Sequence, residues 1–282
     1  MKIIECPRDA MQGLLDFIPT EDKVKYLNAL IQVGFHTIDF GSFVSPKAIP
    51  QMSDTAKVLS QLNLKKSKSK LLAIIANLRG ATEACSFSEI TYLGYPLSVS
   101  ETFQERNTNK SIAASLIELK EIQKLCISNG KQLVVYLSMA FGNPYGDEYN
   151  LTIIDFMVRE LIKMNIKIVS IADTIGAATP ENVYFLYKIL SGKFPLIELG
   201  VHLHSTPDFA KEKIDAAYRA GCRRFDTTIR GYGGCPFAKD ELVGNIATEV
   251  LLSFIEQQHI ILELNKDKFK KAFELAGEIF PL

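Results

Sequence analysis

Histidine is scarce in this chain, with 4 in 282 residues. Cysteine is hardly commoner: Cys6, Cys85, Cys126, Cys222 and Cys235 are scattered with no CxxC pair. That distribution argues against a disulfide framework or a zinc knot and reads as free thiols. An excess of charge of one sign is also missing, because 32 Lys and Arg balance 32 Asp and Glu. No global field therefore favours nucleic acid or an anionic membrane surface. Apolar runs such as LLAIIA at 71–76 fall far short of the roughly 20 residues that cross a bilayer. The opening MKIIECPRDA has neither the apolar core of a signal peptide nor an Arg/Ser-rich transit pattern, so a cytoplasmic location is expected. The glycine-rich turn GxGxxG and the phosphate loop GxxxxGK[ST] are both absent, which weighs against a dinucleotide or P-loop fold. Small-molecule chemistry on another scaffold is left.

What is present is repetition. Apolar, β-branched runs recur at 3–6, 36–41, 71–77, 90–100, 132–140, 167–173, 198–204 and 223–229. Between them lie segments of helical period, several opening on Thr-Pro or an Asp/Asn cap and closing on Gly. Strands without polar alternation are buried on both faces, and strand alternating with helix predicts a parallel sheet. Eight repeats predict an α/β fold of the (β/α)8 TIM-barrel type. Residues 1–282 are expected to form a single such domain, closed by helical sequence from about residue 246. The basic segment NLKKSKSK at 63–70 reads as a solvated loop.

Barrel chemistry sits where strands end. Those ends supply Pro7, Arg8 and Asp9; Asp39 and Ser42; Asn77; Ser100 and Glu101; Asp173 and Thr174; His202 and His204. The strand beginnings supply Lys70, Lys167, Arg223 and Arg224, expected on the stability face. His202 and His204 stand at i and i+2, so both imidazoles leave one face with Cα atoms roughly 6.5 Å apart. A single buried histidine is ordinarily a hydrogen-bonded core residue. Two on one face, costly to bury without a partner, point instead to a metal ion. Asp9 is the best third ligand, since two histidines and a carboxylate leave positions open for water or substrate. Pro7 ends strand one and permits Arg8 and Asp9 to converge, although a buried Arg8–Asp9 or Arg8–Asp39 ion pair would use the same residues structurally. His36 begins strand two at the other end, and His259 falls in a late helix; both are read as structural or solvent-facing. No lysine stands at a strand's carboxyl end, which disfavours a Schiff-base aldolase. The segment IRGYGGCPFAKDELVGN at 229–245 carries three glycines just before Cys235. It reads as a mobile loop bearing a proton donor, or as a plain turn.

Taken together, ECPRDAMQG, DFGSFVSPKAIPQM, ADTIG, VHLH and GYGGCPFAKDELVGNIATE, in this order, resemble the 3-hydroxy-3-methylglutaryl-CoA (HMG-CoA) lyase family of the DRE-TIM metallolyase superfamily. The resemblance implies a divalent cation, Mg²⁺ or Mn²⁺, bound by Asp9, His202, His204 and Asn245. It implies retro-Claisen cleavage of a CoA thioester, with Arg8, Asp9, His202 and Cys235 as catalytic residues. Arg8, Gln12, Asp39, Ser42 and Asp173 would meet the substrate, and a homodimer is expected. A related aldolase or acyl-CoA condensing enzyme, acting on another hydroxy or keto acid, is the alternative. The chain departs from the family pattern in RDAMQ for RDGLQ, Asp39 for glutamate, Ser205 for aspartate, and a Cys235–Asn245 spacing one residue longer.

Overall fold

A computed structural model describes residues 1–65, 67–234 and 243–280. Each apolar run of the sequence is a strand in it: β1 (Lys2–Glu5), β2 (Thr37–Ser42), β3 (Lys70–Ile74), β4 (Ile90–Ser98), β5 (Gln132–Ser138), β6 (Ile168–Asp173), β7 (Glu198–Leu203) and β8 (Arg224–Thr227). All pair in parallel with their sequence neighbours, and β8 pairs with β1, closing the barrel. Around it run α1 (Pro7–Gln12), α2 (Thr20–Val33), α3 (Thr55–Leu59), α4 (Leu78–Cys85), α5 (Glu101–Thr108), α6 (Ile112–Ser128), α7 (Leu151–Lys163), α8 (Pro180–Lys193), α9 (Pro207–Arg219), α10 (Thr248–Gln257) and α11 (Lys266–Ile279). This is the (β/α)8 TIM barrel that the repeats predict.

Two cores follow from the alternation of side chains along each strand. The larger lies between strands and helices and includes Ile3, Ile38, Leu71, Leu93, Val135, Val169, Val201 and Phe225. The smaller fills the barrel with Leu72, Tyr92, Val134, Tyr136 and Ile168. Gly94 makes that filling possible: a Cβ there would lie 2.5 Å from Ile74 Cδ1 and 3.0 Å from the Tyr136 ring.

Some strand ends turn sooner than the sequence pattern suggests. Arg8 and Asp9, expected as the end of strand one, belong to α1, because Pro7 at its first position has a φ already suited to a helix. Asn77 and Ser100 cap α4 and α5, their side-chain oxygens accepting from Gly80 N and Phe103 N. His259 lies in a turn after α10, at φ 57°, rather than in a helix. The basic segment precedes β3 and so lies at the amino end of the barrel, where Lys68 pairs with Glu263 at 3.2 Å on the surface. No described helix is long and apolar enough to cross a membrane.

Candidate metal centre

The site begins with the one-and-a-half turns of α1. A helix brings residues three apart onto one face, and Gln12 Nε2 donates to Asp9 Oδ1 at 2.8 Å. Arg8 is buried between two carboxylates: its Nη1 reaches Asp9 Oδ1 at 2.9 Å, and its Nε and Nη2 reach Asp39 Oδ2 at 3.0 and 2.6 Å. Both ion pairs that the sequence allows are therefore made, by one guanidinium. Burial opposes ionisation of Asp9, but Arg8, His202 and His204 outweigh it and hold the carboxyl below its usual range. Burial raises Asp39 to about 6 even with Arg8 attached.

The histidines come from the end of β7. Their Nε2 atoms face each other at 3.3 Å, and His202 Nε2 lies 3.9 Å from Asp9 Oδ2. One ligand atom from each of Asp9, His202 and His204 falls within 4.8 Å of the others. Burial, with His202 beside it, lowers His204 to about 4, so its ring is neutral and has a lone pair to offer. Burial also opposes charge on His202, but Asp226 and Asp9 more than compensate and raise its pKa. Asp226 is the register partner of His202 on β8, with Oδ2 3.5 Å from His202 Nδ1. A carboxylate on that side favours the tautomer that leaves Nε2 free as a ligand.

The fourth side arrives from the return segment after β8. Ser205 N donates to Gly244 O at 2.9 Å and Ile246 N to Leu203 O at 3.1 Å, which sets Asn245 against His204. Asn245 Nδ2 donates to Asp9 Oδ2 at 2.7 Å and to Tyr232 O at 3.0 Å. Its Oδ1 is buried and has no hydrogen-bond partner among the described residues. Gly233 is required here: at φ +97° it passes so close that a Cβ would lie 2.7 Å from Asp9 O and 2.8 Å from Asn245 Nδ2. A buried amide oxygen with nothing to accept from is costly unless a cation or donor joins it. Two neutral-capable imidazoles, a carboxylate and this oxygen form a donor set that fits a divalent ion.

Beside this centre opens a cleft of about 290 Å³. Arg8, Asp9, Gln12, Ser42, His202 and His204 stand on its wall, with Tyr136, Ser138 and Thr174 beside them. Asp39 and Asp173, expected to meet substrate, lie behind the wall. Asp39 is wholly buried against Arg8. Asp173 accepts from Lys213 Nζ at 3.0 Å and Ala178 N at 3.1 Å. Cys235 lies outside the described residues.

Sequence reasoning missed several buried ionisable groups, three of them close to the site. Lys213 reaches the carboxyl end of the barrel from α9, donating to His204 O at 2.7 Å as well as to Asp173. Its signal was its place on the buried stripe of α9 with Ala210, Ile214 and Ala217. It contacts the layer behind His204 rather than the cleft; a lysine that does line the cleft is Lys110, which lies between α5 and α6 and pairs with Glu118. Asp226 and Glu5 are carboxyl groups buried on β8 and β1, and a buried carboxyl group itself signals a partner.

The HMGL-like family model matches residues 2–275. This chain belongs to that family. The hydroxymethylglutaryl-CoA lyase of Bacillus subtilis is 32% identical over 94% of this chain and 88% of its own length. A Pseudomonas aeruginosa enzyme named 3-hydroxy-3-isohexenylglutaryl-CoA/hydroxy-methylglutaryl-CoA lyase is 32% identical over 87% of this chain and 81% of its own. Among solved structures, an Acinetobacter baumannii HMG-CoA lyase in complex with coenzyme A and 3-methylmalate superposes with a TM-score of 0.91 at 30% identity, covering 99% of this chain and 90% of that one. The chain is thus an HMGL-like protein along nearly its whole length, and its possible cation site lies where a barrel carries chemistry.

Proposed function

We propose that this HMGL-like chain cleaves HMG-CoA to acetoacetate and acetyl-CoA at a Mg²⁺ or Mn²⁺ held by Asp9, His202, His204 and Asn245. The observation that carries the cation reading is the buried Asn245 Oδ1, without a partner among the described residues, beside three clustered ligand atoms. A bound divalent cation supplies Lewis acidity, lowering the pKa of a hydroxyl and polarising carboxylate or carbonyl oxygens. The chain's own residues supply the rest. Asp9 or His202 takes the proton from the C3 hydroxyl of the substrate; both lie on the cleft wall. The C2–C3 bond then breaks, its electron pair passing to C2 as the acetyl-CoA enolate while C3 becomes the ketone of acetoacetate. Arg8, held rigid by Asp39 and Asp9, offsets the charge on the thioester oxygen. Cys235, on the sequence reading, returns a proton to C2. Gln12 and Ser42 on the wall are placed to hold polar groups of the substrate, whereas Asp39 and Asp173 act through Arg8 and Lys213.

The test is formation of acetoacetate from HMG-CoA by the purified protein with Mg²⁺ or Mn²⁺, against a chelator control and a keto-acid panel with acetyl-CoA. Acetoacetate that depends on the metal supports the reading. Metal binding with condensation and no cleavage would replace the substrate assignment and keep the site. In solution the chain is expected to be a cytoplasmic homodimer, which sedimentation of the full-length protein checks for the oligomer.

A further inference from the structure

Glu5 is the least expected carboxyl group in the barrel. It ends β1, is wholly buried, and shares the helix-facing side of the strand with Ile3. Its two oxygens hold two distant parts of the chain. Oε1 accepts from Ile229 N at 2.8 Å, and Oε2 is bonded to Thr248 Oγ1 at 2.6 Å. Thr248 Oγ1 continues to Thr227 Oγ1 at 2.8 Å. Ile229 and Thr248 are the two ends of the return segment that leaves β8, passes Gly233 and Asn245, and re-enters the barrel wall at α10. Thr228 N to Ile246 O at 3.1 Å and Thr248 N to Thr228 O at 2.9 Å draw the same two ends together.

We infer that Glu5 is a positioning residue: one carboxyl group clamps both ends of the return segment and thereby sets Asn245 against Asp9. Its reach is short on both sides. Toward α1, Asp9 follows Glu5 by four positions in the chain. Toward the return segment, Thr248 is three residues from Asn245, whose Nδ2 sits 2.7 Å from Asp9 Oδ2. Loss of the clamp frees the segment to shift outward, and the first contact to lengthen is the one that places Asn245 Oδ1. Ala247, the cap of α10, makes no side-chain cap bond of its own, so the Thr248–Glu5 contact is what ties that helix start to β1. The inference rests on the cation reading above and concerns how the fourth ligand is placed.

The experiment measures Mn²⁺ affinity of the whole protein by electron paramagnetic resonance, with melting temperature alongside. Glu5→Leu and Thr248→Val each break the clamp; Glu5→Gln can keep it, its amide oxygen accepting from Ile229 N and its NH₂ donating to Thr248. The breaking variants are expected to weaken Mn²⁺ binding about tenfold, the lower end of what outer-sphere partners contribute, and Glu5→Gln to retain it. The deciding readout is a double-mutant cycle with Asn245→Ala. If the clamp acts through Asn245, Thr248→Val has no further effect on Mn²⁺ affinity in the Asn245→Ala background. Full additivity, or wild-type affinity in a folded Thr248→Val protein, overturns the inference. Should Glu5→Leu fail to fold, Thr248→Val alone decides. Absence of Mn²⁺ binding by the wild type would overturn the cation reading and this inference with it, an outcome distinct from additivity in a protein that binds.

Discussion

The two ends of the barrel use their charged groups in opposite ways. At the amino end, Lys2 pairs with Glu198 at 2.7 Å, Arg224 approaches the same carboxylate at 3.5 Å, and His36 sits among Lys2, Arg224 and Lys70. Burial and those three cations lower His36 to about 4 and leave it neutral. At the carboxyl end, Asp9, Asp39, Arg8, His202, His204 and Asn245 converge on one cleft or stand directly behind it. Some of the buried atoms without a partner among the described residues differ in the same way. Arg224 has spare donors, Nε and Nη2, whereas the carboxyl end has spare acceptors at Asn245 Oδ1, Asp39 Oδ1 and Asp226 Oδ1. A cation is attracted only to the second set, so chemistry and stability separate along the barrel axis.

Removing ligands should break that asymmetry most strongly. His204→Ala is expected to abolish Mn²⁺ binding and HMG-CoA cleavage together, measured by calorimetry and acetoacetate release, because the remaining acceptors no longer close around an ion. Arg8→Met is expected to lower turnover by about 100- to 1000-fold, the usual cost of losing a donor to a developing oxyanion, with Mn²⁺ still bound. A Cys235→Ser protein should lose turnover at unchanged metal content; full activity would end the thiol's role as proton donor.

Stability separates the ends more finely. Lys213→Met leaves Asp173 buried without its cation and should cost about 3–5 kcal/mol by denaturant unfolding. Lys2→Met at the amino end breaks a part-exposed pair and should cost less than about 1 kcal/mol. Equal losses would erase the distinction.

The smallest effect is in pH dependence. Burial raises Glu5 from 4.5 to about 8, more than its bonds to Thr248 and Ile229 lower it. The folded protein then keeps a proton that the unfolded chain releases at 4.5, so this contribution is full below pH 4.5 and is lost as pH rises through about 8. His36 runs the other way: with its folded value near 4 against 6.5 unfolded, stability rises with pH between those values. Glu5→Gln should remove the decline between pH 4.5 and about 8 in a pH series of melting temperatures and leave the rise due to His36 in place.

Much of this was legible in sequence. All eight strands announce themselves as apolar runs because a parallel barrel buries both faces of each strand. His202 and His204 stand out because strand periodicity alone puts them on one face. Asn245 was reachable only through the family pattern, since its place depends on backbone pairing between a return segment and β7 that no local rule encodes. Arg8 and Asp9 were placed correctly in the barrel but in the wrong element, because Pro7 both ends a strand and starts a helix. The layer behind the wall was the least legible. Asp39 reads as a cleft residue until its full burial against Arg8 is known, and Lys213 reads as a helix-surface lysine until its stripe is counted. Such contacts join residues 31 and 40 positions apart, beyond the reach of any period.

The most direct test of the central claim is a crystal structure of the protein with Mn²⁺, read by its anomalous signal. The account predicts one strong peak bounded by Asp9, His202 Nε2, His204 Nε2 and Asn245 Oδ1, at about 2.0–2.2 Å from nitrogen and oxygen ligands, distances typical of small divalent ions. A peak elsewhere, or none at an Mn²⁺ concentration that supports cleavage, would contradict it.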